Sequence, residues 1–287
     1  MTELATIPEL SPIRIEQIEA KLLGIEQAEC PVIHRFGGGV YIREVMLPAG
    51  LLAIGHHHKT EHMNIMLTGR ATFLLPDGTT EEFIAPKMSV WPPGRKIAMV
   101  HETMIWQNIF PTNCTDVEKL EAEYLEKTDT FLNDQKQRME IERLQHEFDR
   151  EDFLKAIDEL GYSPDEVGFI SENKSDQIPM PSGDCSVIIA NSAIEGRGVF
   201  ATRNIPAMSF IGMTRIGGKR TPIGRFANHS ATPNAVMKIN SDLDVELIST
   251  REISGCRGGQ PGEEITVDYR QVASINLPKE DTCQLLQ

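Results

Sequence analysis

The sequence predicts a mainly β protein, made of two β-rich units joined by an acidic helical connector. Three observations carry this. From Val40 to about Phe110, short apolar runs alternate with turn signals at Pro48-Ala49-Gly50, Thr68-Gly69, Asp77-Gly78 and Pro92-Pro93-Gly94; many short strands so punctuated suit a closed barrel or jelly roll. From Thr115 to about Leu160, glycine and proline vanish and Glu, Lys, Gln, Asp and Leu dominate, the composition of amphipathic helices. Beyond Gly183, short apolar runs resume around polar, glycine-bearing loops. The expected organisation is an N-terminal helical arm over 1–30, a barrel over 31–112, a connector over 113–178 and a compact β unit with a tail over 179–287.

The composition limits the function. With 40% hydrophobic and 24% charged residues over 287 positions, the chain reads as a globular protein with room for two ordinary domains. A formal net charge of -14 argues against nonspecific nucleic-acid binding, which rests on neutralising phosphates with Lys and Arg; it suits a basic protein partner instead. No apolar run is long enough to span a bilayer, and Met1-Thr2-Glu3 does not open a signal peptide. Five scattered cysteines, odd in number, read as reduced thiols. Together these point to a cytoplasmic protein.

In chain order, Ser11-Pro12 resembles an N-cap followed by proline at the first helical position, and Ile15, Ile18, Leu22 and Ile25 recur at helical spacing. The spacing predicts a helix over roughly 12–28. Gly37-Gly38-Gly39 lacks the lysine and following helix of a phosphate loop and reads as a turn. Asp77-Gly78, between apolar runs at 71–75 and 82–84, is a hairpin signal.

Inside the barrel region lies Gly50-Leu51-Leu52-Ala53-Ile54-Gly55-His56-His57-His58-Lys59-Thr60-Glu61-His62, running on to Gly69. Side chains alternate faces along a strand, so His56, His58 and His62 share one side and His57 takes the other. Three converging imidazoles suit a divalent transition metal; a polar barrel mouth with no metal is the plainer reading. The spacing resembles the first motif of the cupin family, G-x5-H-x-H-x3-4-E-x6-G, with His62 in place of its glutamate. Pro92-Pro93-Gly94 resembles the second, P-x-G-x2-H, but Ile97 holds the histidine position. His101 is a candidate substitute as fourth ligand. The resemblance covers roughly 40–112 and implies a cupin-like β-barrel (jelly roll). With the second-motif histidine gone, a structural or vestigial metal site is expected over a catalytic one.

In the connector, Leu120, Tyr124, Phe131, Met139, Leu144, Phe148, Phe153 and Ile157 recur near helical spacing with drifting phase. Two or three helices are expected, with breaks near 128–130 and at Asp149. Such helices form either a solvated face or an oligomerising, partner-binding hairpin. Gly161-Tyr162-Ser163-Pro164 ends the last of them, and 171–183 reads as a linker.

Three stretches of the C-terminal unit carry the chemistry. Ile194-Glu195-Gly196-Arg197-Gly198-Val199-Phe200 sets a glycine-x-glycine bend between strands. Arg225-Phe226-Ala227-Asn228-His229-Ser230-Ala231-Thr232-Pro233-Asn234 is a dense polar loop of neither helical nor strand period. Gly262-Glu263-Glu264-Ile265-Thr266-Val267-Asp268-Tyr269 closes the set. In order and type they resemble the motifs of the SET-domain family of S-adenosylmethionine-dependent protein-lysine methyltransferases, over roughly 183–272, which implies a compact SET-like β-fold. The resemblance gives Gly196, Arg197 and Gly198 to the methionine part of the cofactor and Asn228 and His229 to its amino group and adenine; Arg225 and Phe226, packing beneath the loop, complete the expected cofactor-binding set. Tyr269 matches the catalytic tyrosine, with a half-buried core tyrosine as the bland alternative. The chain departs from the family in several places. Ala231 replaces a cysteine, the stretch 205–225 is short, Phe210 cannot replace an expected tyrosine hydroxyl, and no zinc-binding cysteine triad follows Tyr269.

The expected function is protein-lysine methylation, with the barrel and helices serving assembly, metal binding or substrate choice. A non-catalytic structural or interaction protein and a cupin metal-dependent oxygenase or isomerase remain open. The pairing of the two modules resembles proteins of tailed bacteriophages and prophages, placing the chain in host cytoplasm or virion. The expected partners are a protein substrate, or a phage or host protein, and further copies of this chain, with neither nucleic acid nor membrane.

Overall fold

The computed structural model describes residues 12–75 and 77–276. The chain begins with α1 (Pro12–Leu23), then β1 (Val32–Gly37), β2 (Val40–Leu47), β3 (Leu52–His58), β4 (His62–Leu74), β5 (Thr80–Ile84), β6 (Lys87–Trp91) and β7 (Gly94–Pro111). The connector holds α2 (Val117–Tyr124), β8 (Leu125–Glu126), α3 (Asp129–Gln145), α4 (Glu147–Glu159) and α5 (Pro164–Glu172). The C-terminal unit runs β9 (Gly183–Cys185), β10 (Val187–Asn191), β11 (Arg197–Ala201), β12 (Phe210–Ile216), β13 (Lys219–Arg220), α6 (Pro222–Phe226), β14 (Asn228–His229), β15 (Ala235–Ile239), β16 (Val245–Ser249), β17 (Glu264–Val267) and α7 (Tyr269–Asn276).

The fold is mainly β, as the sequence predicts. α1 stops at Leu23 rather than near 28, because Gly24 follows and the Gln27 side chain donates to the carbonyls of Leu22 (2.5 Å) and Ile25 (2.8 Å). Its expected cap, Ser11, lies outside the described residues. The Gly38-Gly39 pair turns β1 into β2 at φ +60° and +77°. The 18-residue β7 is the spine of the barrel. It pairs with β4 along one edge, and with β2 and then β3 along the other. At the bulge in β4, Gly69 has φ +92°, and a Cβ there would lie 2.6 Å from the Thr103 carbonyl oxygen, so only glycine fits. Inside, Met66, Phe73, Phe83, Trp91, Met104 and Trp106 form an aromatic-rich core.

The connector breaks at the Thr128 N-cap (Oγ1 accepting from Phe131 N–H, 3.2 Å), within the expected 128–130, and at His146, three residues before the expected Asp149, which lies inside α4. The 9-residue α5 lies in a region read as a helix end and a linker. A capping box had signalled it: Ser163 and Glu166 satisfy each other's backbone N–H groups, with Pro164 at the first position.

The C-terminal unit contains two four-stranded sheets, β10-β11-β17-β14 and β13-β12-β16-β15. It is fastened to the barrel by backbone: β9 pairs with β1, and Cys30 N–H donates to Cys256 O (3.3 Å) and Gly258 N–H to Ala28 O (3.1 Å). One buried cluster runs from Tyr41, Phe110, Leu120 and Tyr124 into Val187, Val199, Leu247 and Ile265, so the hydrophobic core is continuous from barrel to C-terminal unit.

Candidate functional site

The three C-terminal stretches meet at one corner. β14 is only two residues long and pairs in parallel with β17, Asn228 opposite Thr266 and His229 opposite Val267. That register sets Tyr269 two residues beyond Val267, the partner of His229. On its other edge β17 pairs with β11, Val199 opposite Ile265, which brings the glycine bend alongside. Asn228 ties the three together: its side-chain N–H group donates to Glu195 O (3.0 Å), Arg197 O (3.1 Å) and Glu264 Oε1 (2.8 Å). Asn234 braces the loop from behind, donating to Glu264 O (2.7 Å) and accepting from Thr266 N–H (2.9 Å).

The hub of this corner is Glu264, whose motif the sequence displayed without a role for it. Its buried carboxylate lies 2.8 and 2.9 Å from Ser192 Oγ and accepts from Asn228. Burial raises its pKa, against the hydrogen bonds from Asn228 and Ser192. Gly198 is glycine because a Cβ would collide with this carboxylate. Gly196 differs: it has φ +50° and open space where a Cβ would be, leaving the bend accessible on that side.

His229 is fully buried and both ring nitrogens are engaged. Nδ1 accepts from Tyr269 N–H (3.1 Å), so Nε2 carries the proton and donates to Asp152 Oδ2 (2.8 Å). Asp152 lies on α4, one turn beyond Asp149, which accepts from Ser230 Oγ (2.6 Å). Arg270 Nη1 also reaches Asp152 (3.1 Å), and its Nε reaches Glu159 (2.5 Å). The connector helix is thus clasped onto the polar loop by Asp149 and Asp152 and onto Arg270 of α7 by Asp152 and Glu159. Hydrogen bonds from His229 and then Arg270 hold the Asp152 carboxyl below its ordinary range. Sequence reasoning passed over these acids because nothing in an acidic run marks which members face a partner.

Tyr269 is partly buried, 5.3 Å from His229 by ring centroids, and its hydroxyl donates to Ala227 O (3.2 Å). Burial, then Glu264 and Glu195, raise its pKa and keep the phenol neutral. Phe226 is held between two guanidinium groups, Arg197 at 4.6 Å and Arg225 at 4.5 Å. Arg225 itself points to the end of α5 and the segment after it, reaching Gln177 (2.7 Å) and Glu172 (2.9 Å); it anchors the loop from the side away from the glycine bend. Phe210 is exposed.

The barrel histidines depart from the metal site expected of them. Among the described residues, no group of three or more His, Cys, Asp or Glu side chains is arranged to hold a metal ion. The shared parity of His56, His58 and His62 fails as a convergence argument for two reasons. β3 is bulged between Ile54 and His57, and the turn at 59–61 separates β3 from β4. His58 and His62 stack face to face, 4.1 Å apart by ring centroids and 12° from parallel, while His56 packs edge-on against Phe131 at 4.6 Å. Lys96 Nζ sits 2.5 Å from His62 Nε2, and Thr60 O accepts from His62 Nδ1 (2.9 Å). An amine therefore takes the lone pair a metal would need. Burial, then Lys96, lowers the pKa of both His58 and His62; burial, then Arg43, lowers Lys96 to about 7. His101 is exposed, bonded to Thr72 (2.7 Å), and takes no part. These residues do not fit a metal centre.

Beside them is a cavity of about 260 Å³. Barrel residues, Leu22 of α1, Phe131 of α3 and Gly258-Gly259 of the C-terminal unit line it.

Residues 214–270 match the family model for the SET domain; the match includes the polar loop and Tyr269 but not the glycine bend. Solved structures similar to the N-terminal part include a cupin-2 domain protein from Shewanella frigidimarina (18% identity, 33% of this chain and 91% of that one, TM-score 0.25). A cupin domain from Bordetella pertussis (16%, 30% and 96%, TM-score 0.25) and ectoine synthase from P. lautus (12%, 36% and 85%, TM-score 0.27) are also similar. A comparison with curated proteins returned no match. No described helix is long and apolar enough to cross a membrane. The chain is mainly β, with cupin-like structural neighbours for its N-terminal part and a SET-domain match in its C-terminal part.

Proposed function

We propose that the C-terminal unit is an S-adenosylmethionine-dependent protein-lysine methyltransferase centre, with the barrel and connector serving assembly or substrate choice. One observation carries this: a single amide, Asn228, binds the glycine bend, the polar loop and the Glu264 strand into one corner beside Tyr269. The cofactor would supply an electrophilic methyl group on a sulfonium. Because the Asn228 and His229 donors are already committed inside the chain, these residues would shape the cradle. Backbone at 195–198, open on the Gly196 side, would meet the ligand. The neutral Tyr269 phenol and nearby backbone carbonyls would orient an incoming lysine amine and stabilise the charge developing on it. Mixing the full chain with radiolabelled cofactor and a lysine-containing protein extract tests this. Methyl incorporation, lost in Tyr269→Phe with the fold intact, is expected; no incorporation under any condition would refute it.

A second reading is favoured by a specific observation. The donors of Asn228 and both ring nitrogens of His229 are satisfied without any ligand, and α4 covers the loop. On this reading the unit is a scaffold in a self-assembling protein, including a phage structural component. It requires defined oligomers by light scattering and no heat on titration with cofactor.

A further inference from the structure

We infer that the barrel cavity is a metal-free binding site for a small monocarboxylic acid with an apolar body, its carboxylate held by Arg43 and Lys96. The site is distinct from the corner around Asn228, and the inference does not depend on the methyltransferase reading.

The charge arrangement carries it. Two cations line the cavity, Arg43 and Lys96. Among the described residues neither is in an ion pair, and Arg43 Nε is buried with no hydrogen-bond partner. The carboxylates that reach the same cavity are hydrogen-bonded elsewhere or exposed, and Glu121 of them also lies in the field of Arg43. Glu19 is bonded to Arg95 (2.7 Å) and Thr128 (2.8 Å), Glu121 pairs with Lys127 (2.9 Å), and Glu26 is exposed. A third group, His58 Nδ1, is also buried and unpartnered. A buried donor without a partner is costly, and an unpaired cation more so. Arg43, His58 and Lys96 all line this one void; the other buried atoms without a partner, Arg197 Nε and Gln271 Oε1, lie in the C-terminal unit.

The ligand class follows from the lining. A guanidinium presents a planar fork that matches a carboxylate, and the adjacent ammonium adds a second donor. Most of the remaining wall is apolar, including Val45, Leu51, Met104 and Trp106, with Gln27, His56 and Asn108 among the polar exceptions, so the body of the ligand is mainly hydrocarbon. At about 260 Å³ the space admits one small molecule and excludes a peptide or nucleotide. Lys96 occupies the His62 lone pair that a metal would need, so an organic anion rather than a cation completes this site.

The test is calorimetry and thermal shift on the full chain, with octanoate and phenylacetate compared with octanamide and phenylacetamide, their neutral isosteres. At least one acid is expected to bind 1:1 and at least ~10-fold more tightly than its amide, before and after dialysis against EDTA. Arg43→Gln is expected to erase that preference while leaving amide binding unchanged; if it does not fold, Lys96→Met serves the same purpose. Neither acid binding, acid and amide binding equally to the native chain, or binding lost on EDTA treatment would each overturn the inference.

Discussion

The two polar regions of this molecule are opposites. At the corner around Asn228, the central polar groups are paired within the chain, with Arg197 Nε the exception: one amide serves three acceptors, both nitrogens of His229 are engaged, and Glu264 has two donors. In the barrel, Arg43 Nε and His58 Nδ1 have no partner and Lys96 has only an imidazole. A satisfied network rigidifies what it joins, whereas an unsatisfied one is a standing cost. The corner is therefore built first to hold three segments in register, and its ligand must use backbone or displace α4. The barrel keeps a preformed space with charge to spare.

This contrast can be broken experimentally. The largest effect is expected from Asn228→Ala, which strips a donor from the buried Glu264 carboxylate and unties the glycine bend. We expect a loss of about 2–4 kcal/mol, read from the denaturant midpoint; a loss below about 1 kcal/mol would show that the amide is not the tie. Gly198→Ala should cost about 1–3 kcal/mol, because Glu264 cannot retreat without giving up its bonds. Gly196→Ala meets no atom but is strained by its φ of +50°, and about 1 kcal/mol is expected; a loss larger than that of Gly198→Ala would contradict the difference between the two glycines.

In the barrel the sign should reverse. Lys96→Met removes a buried ammonium and should stabilise the protein by roughly 1–4 kcal/mol at neutral pH while weakening acid binding. The folded pKa of Lys96 is lowered from 10.5 to about 7. The cost of charging it is thus fully present below about 7 and fades as pH rises toward 10.5. The variant's advantage should shrink across that window; an advantage independent of pH would mean Lys96 is not strained by burial.

The smallest effect concerns the clasp. Asp152→Asn keeps the shape but loses the charge facing Arg270, and about 1 kcal/mol is expected at neutral pH. The folded pKa of Asp152 lies below the ordinary 3.8, so its contribution is complete above that value and disappears as pH falls through the depressed one. Melting curves of native and variant protein should converge in that acid range and separate above it.

Much of the architecture was legible because periodicity and turn chemistry act locally. The Asp77-Gly78 hairpin, the Thr128 break and the Gly38-Gly39 turn all sit where their residues place them. The capping box at Ser163 is equally local, but the Gly161 and Pro164 beside it signal a helix end more strongly than a new start. At the candidate site, motif order brought Gly196, Asn228 and Tyr269 forward. The residues that hold them did not show, because Ser192, Asp149 and Asp152 act through tertiary contacts that no spacing encodes. The histidine triplet misled for a related reason. Parity holds along a single unbroken strand, and here a bulge and a turn intervene, with Lys96 inserted from β7.

The claim on which the functional account rests is that the Asn228 corner binds a sulfonium nucleoside. The most direct measurement is calorimetric titration of the full chain with S-adenosylmethionine and, separately, with its demethylated product. A saturable 1:1 isotherm for both is expected, abolished by Gly196→Val, which fills the open side of the bend. No heat with either ligand, from protein whose melting curve shows it folded, would contradict it.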